Sequence, residues 1–99
     1  MPRYVVLLKF TDTGIREVND SPARAKRFAA MAKKAGIKIE SVLWTLGAFD
    51  GVLQFRAPDE QTAVALVLSL HKQDNVHTQM LRAFDSDEFS EILTKIPQS

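Results

Sequence analysis

The strongest claim to chemistry lies with Asp50, in the stretch "LGAFDG" at 46–51, between two apolar runs, "IKIESVLWT" and "VLQFRA". A carboxylate at a hairpin tip that faces a partner or a cleft can act as a general base or hold a cationic side chain. A structural role competes with this. Gly47 and Gly51 can take positive φ, Asp50-Gly51 is a favoured tight-turn pair, and Phe49 can fold back as an apolar anchor. The Asp50 carboxylate would then cap local backbone N–H groups. Arg24 is the second candidate. On a helical wheel it falls beside Ala25, Phe28 and Met31, not with Lys26, Lys33 and Lys34, so its guanidinium belongs at the edge of the core-facing side. Either its stem snorkels, with the head in water or on a loop carbonyl, or it clasps Asp12 or Asp50 in a bidentate pair. His71, Asp74 and His77 form an H-x2-D-x2-H pattern, a spacing that invites a metal reading. It crosses a helix-to-strand junction and matches no established ligand motif, so no metal and no cofactor are expected.

These groups sit in a chain whose composition excludes several functions. Its 99 residues, 45% hydrophobic, suit one compact domain spanning 1–99 with a core that needs no staple. Thirteen Lys and Arg against twelve Asp and Glu leave a net charge of +1, which gives no basic stripe for nucleic acid and no pull toward an anionic membrane. Cysteine is absent, which removes thiolate catalysis and disulfides and fits a reducing compartment. The apolar start, "MPRYVVLLKF", is too short for a membrane span, so a cytoplasmic protein is expected.

The elements that must position the candidates follow from hydrophobic periodicity and punctuation. Arg3 to Phe10 reads as a strand, apolar on both faces, that ends at the turn cluster "TDTG". "NDSPARAKRFAAMAKKAG" reads as a helix with Ser21 as N-cap, Pro22 at its first position and Gly36 just past its end, and with Ala25, Phe28, Met31, Ala32 and Ala35 on one face. Two strands, Ile37 to Leu46 and Gly51 to Ala57, flank the opening stretch. A second helix follows Pro58 and Asp59, with a core stripe of Ala63, Leu66, Val67 and Leu70. Val64 and Leu68 lie well round from that stripe, which calls for a second neighbour. "NVHTQMLRAF" reads as a fourth strand, and "DSDEFSEILTKI" as a last helix capped by Asp85 or Ser86, with Phe89, Ile92, Leu93 and Ile96 at helical spacing.

The order β-α-β-β-α-β-α is that of an α+β, ferredoxin-like βαββαβ plan with an extra C-terminal helix. In that plan both crossover helices cover one face of a four-stranded antiparallel sheet and leave the other face bare. The bare face still carries large apolar groups, and the sheet of a second subunit is the simplest cover.

"KFTDTGI", "SPARA", "LWTLGAFDGV" and "NVHTQMLRAF", in that order, resemble the GYD domain family from about Tyr4 to Leu93. The resemblance implies a ferredoxin-like fold that assembles through its sheets, akin to the dimeric α/β barrels, and implies no activity. The family's Gly-Tyr-Asp signature falls on Gly47, Phe49 and Asp50. Phe49 replaces the tyrosine and so removes a hydroxyl that could have served as acid, base or donor. His77 stands where the family tends to have an arginine, an imidazole in place of a fixed positive charge.

Three classes of function remain. The first is an oligomeric binding module whose inter-sheet cavity holds a small, partly apolar metabolite met by Trp44, Phe49, Arg24, Gln54, Arg56 and Gln79, with Val42 and Leu46 beside Trp44. The second is a cofactorless oxygenase or isomerase that moves a proton with Asp50 or His77, an idea resting on fold analogy. The third is an interaction protein without ligand that uses the exposed part of the second helix. A homo-oligomer is the expected partner, and neither nucleic acid nor membrane is.

Overall fold

A computed structural model describes residues 1–98. Four strands, β1 (Arg3–Phe10), β2 (Lys38–Trp44), β3 (Gly51–Arg56) and β4 (Val76–Ala83), form one antiparallel sheet in the order β2-β3-β1-β4. Four helices accompany them: α1 (Asp12–Arg16), α2 (Ser21–Lys34), α3 (Glu60–Lys72) and α4 (Ser86–Leu93). The strand order and the placement of α2 and α3 are those of the ferredoxin-like α+β plan. One face of the sheet and these two helices share a core in which Tyr4, Val6, Leu53 and Phe55 meet Phe28 and Ala32 of α2 and Ala63, Leu66 and Val67 of α3. The Tyr4 and Phe55 rings are Cα partners and stack at 5.4 Å.

Helix boundaries follow the expected chemistry with two exceptions. Gly36, at φ 78°, closes α2 in a Schellman arrangement: Ile37 N–H donates to Ala32 C=O at 3.0 Å and Gly36 N–H to Lys33 C=O at 3.1 Å. The Asp59 carboxylate caps α3 by accepting from Thr62 N–H at 2.7 Å, which holds that carboxyl below its usual range. Asp85 and Glu88 form a reciprocal capping box on α4. The first exception is Ser21. A turn of 3₁₀ helix over Val18–Asp20 runs straight into α2, so the N-cap position passes to Asp20 and Ser21 becomes the buried first helical residue. The second is "TDTG", which continues as α1 instead of turning, because the Thr11 hydroxyl accepts from Gly14 N–H at 3.0 Å and starts a helix. The core stripe of α2 is also narrower than its wheel suggested. Phe28 and Ala32 are buried, whereas Met31 and Ala35 face out.

The far face of the sheet is uncovered. Cross-strand partners share a face, so Val5, Leu7, Leu43, Val52 and Leu81 stand together there. Val64 and Leu68 of α3 are likewise exposed, as are Phe89, Ile92, Leu93 and Ile96 in and just beyond α4, which buries none of its residues. Ion pairs hold the root of α4. The Arg3 guanidinium lies 3.0 Å from Glu88, 3.7 Å from Asp85 and 3.3 Å from Glu40, and Glu40 is also 3.3 Å from Arg56 Nε. That Nε is shielded from solvent and lacks the alignment for a hydrogen bond.

Desolvation pushes the Glu40 carboxyl upward, but the hydrogen bond from Arg3 and the nearby charges of Arg56 and Arg3 outweigh it and hold the group below its ordinary 4.5. The Asp85 carboxyl is held below 3.8, first by the Glu88 backbone N–H and then, against desolvation, by Arg3. A carboxyl depressed in the folded state contributes stability that is fully present above its unfolded pKa and is lost as pH falls through the folded one. The melting temperature should therefore fall on acidification below about pH 5, and Arg3→Met should flatten that fall. Thermal melts of both proteins between pH 7 and 3 check this, and parallel curves would exclude Arg3 as the cause.

Candidate functional site

The segment 45–50 is a loop of six residues, not a tight turn. Thr45 N–H donates to Asp50 C=O at 2.9 Å and the Thr45 hydroxyl to Phe49 C=O at 2.6 Å, which closes the loop on itself. Gly47 supplies the one positive φ it contains, 123°, whereas Gly51 is already the first residue of β3, paired with Leu8 and Trp44. The Asp50 carboxylate does not cap its own loop. Its Oδ2 accepts from Phe10 N–H at 2.8 Å, while Asp50 N–H donates to Leu8 C=O at 2.8 Å. Both contacts fasten the loop to the end of β1.

Beside this loop, between α2 and the sheet, is an open-mouthed cleft of about 100 Å³. That is less than the roughly 150 Å³ of an enclosed cavity that holds benzene, so a small ring or a branched aliphatic group seats here with part of it in the open mouth. Leu8, Phe28, Val42, Leu53 and Leu70 are among its apolar walls, and Trp44, Arg24, Asp50, Gln73 and Asn75 also line it. Trp44 is 49% exposed. Arg24 donates to Glu17 C=O at 3.1 Å and, more weakly, to the Ser21 hydroxyl at 3.5 Å. Among the described residues no carboxylate lies within 4 Å of its guanidinium, so the clasp with Asp12 or Asp50 does not form and the loop-carbonyl arrangement does. Several of its N–H donors therefore have no partner among the described residues at the cleft.

The residues expected to share one ligand surface are divided by the sheet. Trp44 and Val42 pair with Gly51 and Leu53, which places them on the helix side. Gln54, Arg56, Gln79 and His77 lie on the uncovered face, where Gln54 accepts from the Ser41 hydroxyl at 3.1 Å and His77 is opposite Lys9. Leu46 is fully exposed in the loop, and Phe49 is half-buried outside the cleft lining. The cause is a β-bulge between Ile39 and Ser41, which inserts Glu40 and reverses the alternation of β2 partway along. The two histidines part in the same way. His71 reaches Thr78 on the helix side of β4, while its neighbour His77 points to the opposite face. Among the described residues no three His, Cys, Asp or Glu side chains converge as metal ligands.

Sequence reasoning missed Gln73 and Asn75, which sit in the loop between α3 and β4 and line the cleft. The signal available was the polar cluster "KQDN", which marks a loop but not the direction its side chains take.

A small antiparallel α+β domain of ferredoxin-like plan, with an apolar cleft under its first long helix and a cation at the rim, is the class defined by this fold and site. Residues 4–93 match the family model of the GYD domain, and the chain belongs to that family. No curated protein matches it.

Proposed function

We propose that the domain is a binding module for a small, partly apolar anion, held in the cleft between α2 and the sheet. The observation that carries this reading is the pairing of apolar walls with the spare N–H donors of Arg24 and a half-exposed Trp44 ring. A carboxylate on Arg24 with a ring or branched chain against Leu8, Phe28 and Leu53 satisfies both halves of the lining. This places the ligand within one subunit, on the opposite side of the sheet from an inter-sheet cavity. Binding is favoured over proton-transfer catalysis because one oxygen of Asp50 is already held by Phe10 N–H, and His77 stands on the other face. The absence of cysteine fits work in a reducing compartment such as the cytoplasm.

Trp44 is the chain's one tryptophan, so its fluorescence reports on the cleft alone. Titration with benzoate and with the neutral isostere benzamide should change the emission saturably for benzoate only, and Arg24→Gln should weaken benzoate at least about tenfold. Equal responses to acid and amide, or none to either, would sink the anion reading. Native mass spectrometry of protein purified without added ligand would show whether a small molecule is retained.

The uncovered sheet face supports a second element of the reading, self-association. Leu43 on the edge strand β2 is 57% and Leu81 on the edge strand β4 47% exposed, flanking the half-buried Val5, Leu7 and Val52 of the central strands, a burden a second copy's sheet would relieve.

A further inference from the structure

We infer that α4 of one copy seats on the uncovered sheet face of a second copy, reciprocally, so that each copy's C-terminal helix clasps its partner. This deepens the self-association reading above and rests on it. Three observations converge. First, Arg3 lies on the uncovered face by register, opposite Arg56 and Ala83, and it fixes the first turn of α4 through Glu88 and Asp85. The helix is thus rooted at the end of the sheet where β1 begins, on the side of the bare face. Second, both surfaces lack a partner among the described residues. Phe89, Ile92 and Leu93 are exposed on α4, and Leu7, Leu43 and Val52 form a cross-strand row toward the opposite end of the bare face.

Third, the charges left over are complementary. Asp85 and Glu88 are engaged by Arg3, and Arg56 by Glu40. Among the described residues Asp87 and Glu91 of α4 make no ion pair, and neither does Lys9 at that opposite end, whose ammonium donates to Ala48 C=O at 3.4 Å. A two-fold axis running across the strands lays the start of β1 in one copy over its end in the other. The partner's α4 then meets the row of Leu7, Leu43 and Val52, with its free acids beside Lys9. An isologous contact of this kind closes with two copies and covers the apolar side of both α4 helices.

Sedimentation equilibrium of the wild type, Asp87→Lys/Glu91→Lys, Lys9→Glu, and the two variants mixed tests the pairing. All three substitutions are at exposed positions, so folding should persist and circular dichroism can verify it. The wild type should dimerise, each variant alone should self-associate at least about tenfold more weakly, and the mixture should recover dimer through opposite charges. Charge variants that dimerise like the wild type would overturn the inference, as would a mixture that stays monomeric. A dimer that is lost in Leu43→Lys but kept in every charge variant would leave sheet packing standing and remove α4 from it.

Discussion

A Gly14→Ala variant should melt about 12–24 °C below the wild type, a loss of roughly 3 kcal/mol from a domain of this size. The direction is opposite to the usual one, because replacing a helical glycine by alanine ordinarily stabilises by as much as about 1 kcal/mol. Here the surroundings decide. A Cβ on Gly14 would stand 2.0 Å from the Asn75 carbonyl oxygen, 3.0 Å from its carbon and 3.2 Å from the Phe10 ring. Two of those three atoms are backbone, so no rotamer change relieves the clash. That same oxygen accepts from Thr11 N–H at 3.0 Å, and the Thr11 hydroxyl donates to Asp74 C=O at 2.6 Å. Moving α1 away would break both bonds, and moving the loop would disturb Asp74, already at φ 57°. Ile15→Ala, one residue on and 55% exposed, should cost within about 0.5 kcal/mol. Thermal melts of both variants check the contrast, and a Gly14→Ala melt at the wild-type temperature would show that α1 is not anchored there. Because Phe10 and Asn75 also line the cleft, the surviving fraction of Gly14→Ala should bind benzoate less well than wild type.

Periodicity was enough to read the four strands, the two long helices and α4, because those elements bury or aim a regular apolar pattern. Phe55 is an example, alternating with half-buried or exposed neighbours along the whole of β3. Gly14 was readable only as a turn residue, since what requires it is the backbone of Asn75, distant in sequence. The division of the ligand residues was hidden for a different reason. Strand parity propagates from any one assigned residue, and a single inserted residue at Glu40 inverts everything after it, so Trp44 and Val42 changed faces together. Arg24 shows the limit in the other direction. Its position at the edge of the core was legible from the wheel, but its partner was a loop carbonyl, and carbonyls are present at every residue.

Asp50→Ala should cost about 2–3 kcal/mol, while Asp50→Asn should cost about 1 kcal/mol or less. The carboxylate takes Phe10 N–H at 2.8 Å, a part-buried donor past the last β1 residue paired with β3, and alanine leaves that donor without a partner. Asparagine keeps an oxygen in place and loses only the charge assistance, so the backbone group stays satisfied. The same pair of variants separates a tether from a catalytic base. A base would lose its function in both, whereas a tether fails in alanine and persists in asparagine. The tether also explains why Phe49 is tolerated beside it: the loop is closed by Thr45 on the backbone of 49 and 50, and no bond there uses the ring. Since Asp50 and Trp44 line one cleft, loosening the loop should red-shift Trp44 emission in Asp50→Ala and leave it near wild type in Asp50→Asn. Melting temperatures and emission maxima of the two variants measure both effects. Equal destabilisation by alanine and asparagine would mean that the negative charge itself, not the hydrogen bond to Phe10, holds the loop against β1.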